Sequence, residues 1–185
     1  MILARARRIL SPKGSSPSLP KKARRRLLGA CAAAVILLLA GIAPDSALSS
    51  VAVCDESADA SSLVRAAVER ADREDKRALL EFGANWCGWC RELDRVFREN
   101  PAVSRRLARD YVVVPVDVGR FDRNVALARR YGVRNLDDTG IPILVVLDCR
   151  GAVVAVGDAG DFESASGDGY VAGSVLEFLG ANAAR

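Results

Sequence analysis

The chain predicts an α/β sandwich built on a mixed sheet, and three observations carry that fold class. Stretches with apolar residues at helical spacing alternate with apolar runs of strand length, the order that lays helices over a sheet. The run at 111–118 is almost continuously apolar, as strands covered on both faces are. The last two strands are joined by Asp148-Cys149-Arg150-Gly151, long enough only for a reversal, so at least one pair is antiparallel.

The elements follow in order. Over 59–74, Leu63, Val64, Ala67, Val68 and Ala71 recur at helical spacing, with Arg65, Glu69, Arg70, Asp72 and Arg73 on the other side. A strand at 78–82 comes next. A helix from Gly88 to about Arg98 buries Leu93, Val96 and Phe97. Asn100-Pro101 ends it, and Pro101 suits the first turn of a second helix to Arg109. The strand at 111–118 reads as an interior parallel strand despite Pro115. Asp122 caps a helix reaching Tyr131, which Gly132 stops. A strand at 141–147, its partner at 151–156 and a closing helix at 171–179 complete the series.

Trp86-Cys87-Gly88-Trp89-Cys90 follows directly on the first strand. Two cysteines at this spacing lie within one helical turn, close enough to exchange between dithiol and disulfide without rebuilding the fold. If Cys87 opens the helix, its sulfur meets unsatisfied N–H groups and the positive end of the helix dipole, which favour the thiolate. Cys87 is then the attacking sulfur and Cys90 the resolving one. A zinc half-site and a structural disulfide are the competing readings. Zinc wants about four ligands, and the chain has no histidine and no second Cys-x-x-Cys, so no metal is expected. A pair presented at the end of a strand between two tryptophans argues against a merely structural bridge. Trp86 and Trp89 offer an apolar platform for docking a protein.

The segment Glu81-Phe82-Gly83-Ala84-Asn85-Trp86-Cys87-Gly88-Trp89-Cys90 resembles the active-site segment of the thioredoxin superfamily, and Gly140-Ile141-Pro142-Ile143-Leu144-Val145-Val146-Leu147-Asp148 resembles its cis-proline strand. The likeness covers roughly residues 60–180. It is closest to periplasmic thioredoxin-like proteins and to the carboxy-terminal domain of the bacterial transmembrane thiol:disulfide reductase. Gly88-Trp89 departs from the Gly-Pro of thioredoxin itself. The resemblance implies a thioredoxin-like three-layer α/β/α sandwich with a mixed central sheet. It implies a cis peptide bond before Pro142, and a loop facing the cysteines whose Ile141 backbone pairs with an extended substrate segment. It also implies a buried carboxylate at Glu81 that exchanges a proton with Cys90, its pKa raised by desolvation. Asp94, one turn after Cys90, matches a second acidic position that could support that transfer.

The amino terminus is of another character. Residues 1–26 hold nine Lys or Arg and no Asp or Glu, so the formal +4 divides into +9 there and −5 beyond. The basic pI therefore belongs to a leader, and a nucleic-acid-binding face loses its support. Residues 27–42 carry no charge: sixteen residues, longer than the usual signal core and shorter than the roughly 18–20 of a comfortable span. The reading is a basic, unstructured leader (1–26), a hydrophobic signal or anchor (27–42), a linker (43–56) and the domain (57–185). The positive flank stays cytoplasmic and the rest crosses. The expected place is the periplasm or another extracytoplasmic compartment, soluble after cleavage near Ser49 or Ala52, or anchored in the inner membrane. Cys54 faintly matches a lipoprotein box. Cys149, an odd thiol, is a candidate for intermolecular pairing, Cys54 included.

The functional expectation is an exported thiol:disulfide oxidoreductase. Its expected partners are protein disulfides or dithiols and a membrane electron donor, with the export machinery engaging the leader; no cofactor is expected. Lacking a histidine between the cysteines, the couple is expected to be reducing. Two other classes stay open: a thioredoxin-like binding or chaperone module without obligatory turnover, and a membrane-anchored haem chaperone.

Overall fold

The computed structural model describes residues 52–184, so the basic leader and the apolar segment at 27–42 lie outside the described residues. The elements run α1 (Ala60–Arg73), β1 (Arg77–Gly83), α2 (Gly88–Glu99), α3 (Pro101–Asp110), β2 (Tyr111–Asp117), α4 (Val125–Arg130), α5 (Leu136–Thr139), β3 (Ile143–Leu147), β4 (Val153–Asp158), a 3-10 turn (Ala159–Phe162) and α6 (Ala172–Ala181). The sheet order is β2-β1-β3-β4. β1 and β2 are parallel, joined through α2 and α3; β1–β3 and β3–β4 are antiparallel. This is the thioredoxin-like mixed α/β architecture.

Strand alternation divides the core in two. Ala78, Leu80 and Phe82 of β1 face the layer of α1 and α4, meeting Val64, Ala67, Ala71 and Ala128. Leu79 points the other way, with Leu144 and Val146 of β3, toward Leu93, Phe97, Leu107, Val175 and Leu179 of α2, α3 and α6. β1 lies at the centre, buried from Ala78 to Gly83. Its carboxyl end therefore opens at a fixed place between the two helical layers.

Local chemistry sets the helix ends. Asp59 accepts the N–H groups of Ser61 and Ser62 and starts α1. Asn100 closes α2 through its own N–H and starts α3 by accepting the N–H groups of Ala102 and Val103, with Pro101 in the first turn.

Five expectations are corrected. Among the described residues β2 is an edge strand, not an interior one: Val112, Val114 and Val116 are buried on one face, Val113 is half-buried and Pro115 exposed on the other, and Pro115, which has no N–H to donate, fits such an edge. Asp122 does not cap α4. Gly119, Phe121 and Asn124 all take left-handed backbone, so the chain turns through 119–124 and the helix begins only at Val125. Instead Asp122 accepts the Arg120 N–H inside that turn. The sequence reading also leaves out α5 and the 3-10 turn, both of only four residues. Finally, order begins before residue 57: Val53 and Cys54 are buried, so the end of the expected linker packs as part of the domain. The fourth strand is shifted to Val153–Asp158, with a bulge beside Leu147 that breaks the simple alternation.

Candidate active site

Cys87 and Cys90 form a disulfide, their Cα atoms 5.3 Å apart. Cys87 is the N-cap of α2, with extended backbone, and its Sγ accepts the Cys90 N–H at 3.0 Å. A sulfur so placed faces the free donors of a helix terminus, which stabilise negative charge. What little surface the pair presents belongs to Cys87, 5% exposed against 0% for Cys90. Cys87 is thus the more accessible sulfur of the pair.

The Ile141-Pro142 bond is cis, and both residues are buried. The Ile141 carbonyl oxygen lies 3.5 Å from Cys87 Sγ, so this loop packs on the disulfide from the opposite element. Trp86 is 43% exposed: its Nε1 donates to the Gly119 carbonyl at 2.7 Å, its ring meets Phe121 edge-on, and Arg120 stacks 5.0 Å above it. Trp89 is half-buried and packs on Tyr170 at 5.1 Å. The two tryptophans thus flank the cysteines but meet different aromatic partners.

Glu81 lies in β1 on the face turned to α2. Gly83, two residues on along that face, leaves the space that Cys90 occupies: a Cβ there would stand 3.2 Å from Cys90 Sγ. Glu81 is therefore roughly 7 Å along the strand from that point. It is 4% exposed, and its Oε1 has no hydrogen-bond partner. Burial first, and then the charge of Asp94, push its pKa up to about 8. Asp94 is itself shifted upward by burial, opposed by its ion pair with Arg98. Both carboxyls line a cleft of about 330 Å³ with Val53, Phe97, Val113 and Pro115. The expected site residues thus gather at one end of the sheet, with Glu81 and Asp94 on its inner side.

Other contributors have contacts that the sequence does not signal. Asn85 clamps residue 54 by its main chain: its Oδ1 accepts the Cys54 N–H at 3.1 Å and its Nδ2 donates to the Cys54 carbonyl at 3.0 Å. The Cys54 thiol lies 3.6 Å from both Asn85 Oδ1 and Asp117 Oδ1. Burial first, then the nearby Asp117 carboxylate, push that thiol up to about 12. Cys149 is exposed. Cys54 and Cys149 are both free thiols, one buried and one exposed, with no bridge between them in this chain. Residue 54, Asn85 and Asp117 sit some thirty residues apart, so only the folded chain brings them together.

A thioredoxin-like family model matches residues 59–149. The crystal structure of a disulphide isomerase from Xylella fastidiosa Temecula1 is similar at 36% identity and a TM-score of 0.59, over 69% of this chain and 93% of that one. The oxidised DsbD C-terminal domain from Neisseria meningitidis is similar at 24% identity and a TM-score of 0.49, over 68% of this chain and 97% of that one. Thioredoxin-1 of Drosophila melanogaster is 35% identical over 69 residues, which is 37% of this chain and 57% of that protein, so the match spans little more than half of the curated relative. With a disulfide capping a helix beside a cis-proline loop, and a relative matched over nearly its whole length, the chain belongs to the thioredoxin-like family.

Proposed function

We propose that this protein is an exported thiol:disulfide oxidoreductase that reduces or exchanges disulfides in extracytoplasmic proteins. The observation that carries the reading is the Cys87–Cys90 disulfide at the amino end of α2, with Cys87 holding the exposed edge against the Ile141 carbonyl. In the reduced state the Cys87 thiolate attacks a substrate disulfide, forming a mixed disulfide and expelling one substrate thiolate. Cys90 then attacks Cys87 Sγ, releasing the second substrate thiolate and leaving the protein oxidised. Glu81 takes the Cys90 proton, and a carboxyl with a pKa of about 8 takes and returns protons near neutral pH. The exposed Trp86 and the Ile141-Pro142 loop bracket the reacting sulfur and receive the substrate backbone. A membrane electron donor would return the pair to the dithiol.

Export rests on the +9 leader followed by sixteen uncharged residues. Reduction of insulin disulfides with dithiothreitol as electron source tests the chemistry. Cys87→Ser should abolish turnover, and Cys90→Ser should accumulate mixed disulfides; full retention of a partner effect by Cys87→Ser would instead favour a binding module. A reporter fused after Arg185 that is active only in the cytoplasm would contradict export.

A further inference from the structure

Arg91 opens the second turn of α2, one residue beyond Cys90, and is exposed. Its side chain folds back toward the amino end of the helix. Nη1 donates to the Asn85 carbonyl at 2.7 Å, and Nη2 lies 4.0 Å from where a Cβ on Gly88 would stand. Asn85 and Gly88 bracket Trp86-Cys87, so the guanidinium is drawn across the turn in which Cys87 is the cap. The other arginines of α2 pair with carboxylates, Arg95 with Glu92 and Glu99, Arg98 with Asp94. Arg91 has no carboxylate partner among the described residues. Its hydrogen bond goes to a main-chain oxygen that Asn85 holds in place through its side-chain clamp on residue 54.

We propose that Arg91 is a positioning residue for the thiol chemistry: held on the Asn85 carbonyl, its charge stabilises the Cys87 thiolate and so favours the dithiol state of the pair. This rests on the oxidoreductase reading for its purpose, though not for its chemistry. The helix terminus supplies partial charge at the same place, and a full positive charge beside it adds to that effect. Arg91 is exposed, so the effect is modest and screened by salt. Other charged groups at this end of the sheet stand on several elements: Glu56 beside Asn85, Glu81 on β1, Glu92 and Asp94 on α2, Asp117 with Arg123 at the end of β2, and Arg120 and Asp122 in the following turn. All are kept in the test, so a change belongs to position 91.

The experiment compares the full chain with Arg91→Gln, which keeps a donor for the Asn85 carbonyl but loses the charge, and Arg91→Lys, which keeps the charge. Iodoacetamide alkylation of reduced Cys87 is followed from pH 5 to 9. The dithiol is also equilibrated with oxidised glutathione, giving the protein disulfide and two reduced glutathiones. Arg91→Gln should alkylate about threefold more slowly at pH 7, with its profile moved to higher pH, and should shift the glutathione equilibrium toward the protein disulfide by up to about threefold. Arg91→Lys should stay near the parent, and the deficit of Arg91→Gln should shrink in 1 M salt. Equal losses in both variants would make the role one of packing, and an unchanged Arg91→Gln profile would remove it altogether. Alkylation needs only the dithiol, so a parent chain that fails to reduce insulin would sink the oxidoreductase reading while leaving this result standing.

Discussion

At the scale of single residues, Glu81 carries the sharpest consequence. It is ordinarily a carboxyl of pKa 4.5, and burial followed by the Asp94 charge takes it up to about 8 in the folded chain. The folded state therefore holds a proton that the unfolded state releases between pH 4.5 and 8. Stability contributed by this group is complete below the unfolded pKa and falls as pH rises through about 8. Glu81→Gln should remove that slope, leaving the variant more stable than the parent at pH 8.5 by an amount on the order of 1–3 kcal/mol, and closer to it at pH 5. Denaturant melts at the two pH values measure it. The same variant should slow resolution of a mixed disulfide more than the first attack by Cys87, which rapid mixing separates. Equal stability differences at both pH values would mean that Glu81 titrates like a solvated acid.

At the scale of elements, a single side chain decides where two helices meet. Asn100 ends α2 and caps α3, and α3 returns the chain to β2, whose carboxyl end holds Asp117 beside Cys54. Asn100→Ala should lower stability by about 1 kcal/mol, the usual worth of such a cap, read as a lower denaturant midpoint at constant slope. The Cys87 alkylation rate should not change, because the first turn of α2 is tied separately through Asn85 and Trp86. Gly157 makes the complementary case in β4. A Cβ there would stand 2.9 Å from both the Phe162 and Phe178 rings, so Gly157→Ala should cost roughly 1–3 kcal/mol through displaced aromatics. A Gly157→Ala melt that coincides with the parent would show that the rings move freely.

At the scale of the whole molecule, residues 53–56 join the domain to whatever precedes it, and they do so against the active-site loop. Val53 and Cys54 are buried, and Glu56 accepts from Asn85 Nδ2 at 3.0 Å. Val53→Ala in the full chain should therefore cost roughly 1–2 kcal/mol, where a linker residue would cost nothing measurable. In the native reduced protein at pH 8, iodoacetamide should label exposed Cys149 quickly and buried Cys54 only after denaturation. Prompt labelling of native Cys54 would show that residues 53–56 detach. The sequence by itself determined the strand-then-helix setting of Cys87 and Cys90, the order of the main elements and the likeness that located Pro142, because periodicity, capping and motif spacing are local properties of the chain. Only the tertiary structure decided that β2 is an edge, that Asn85 holds residue 54, that Glu81 lacks a hydrogen-bond partner and that Arg91 folds over the cap of α2. Edge position depends on which strand a neighbour leaves unpaired, burial on what packs above a side chain, and clamps on segments some thirty residues apart meeting at the end of a sheet, none of which leaves a period in the sequence.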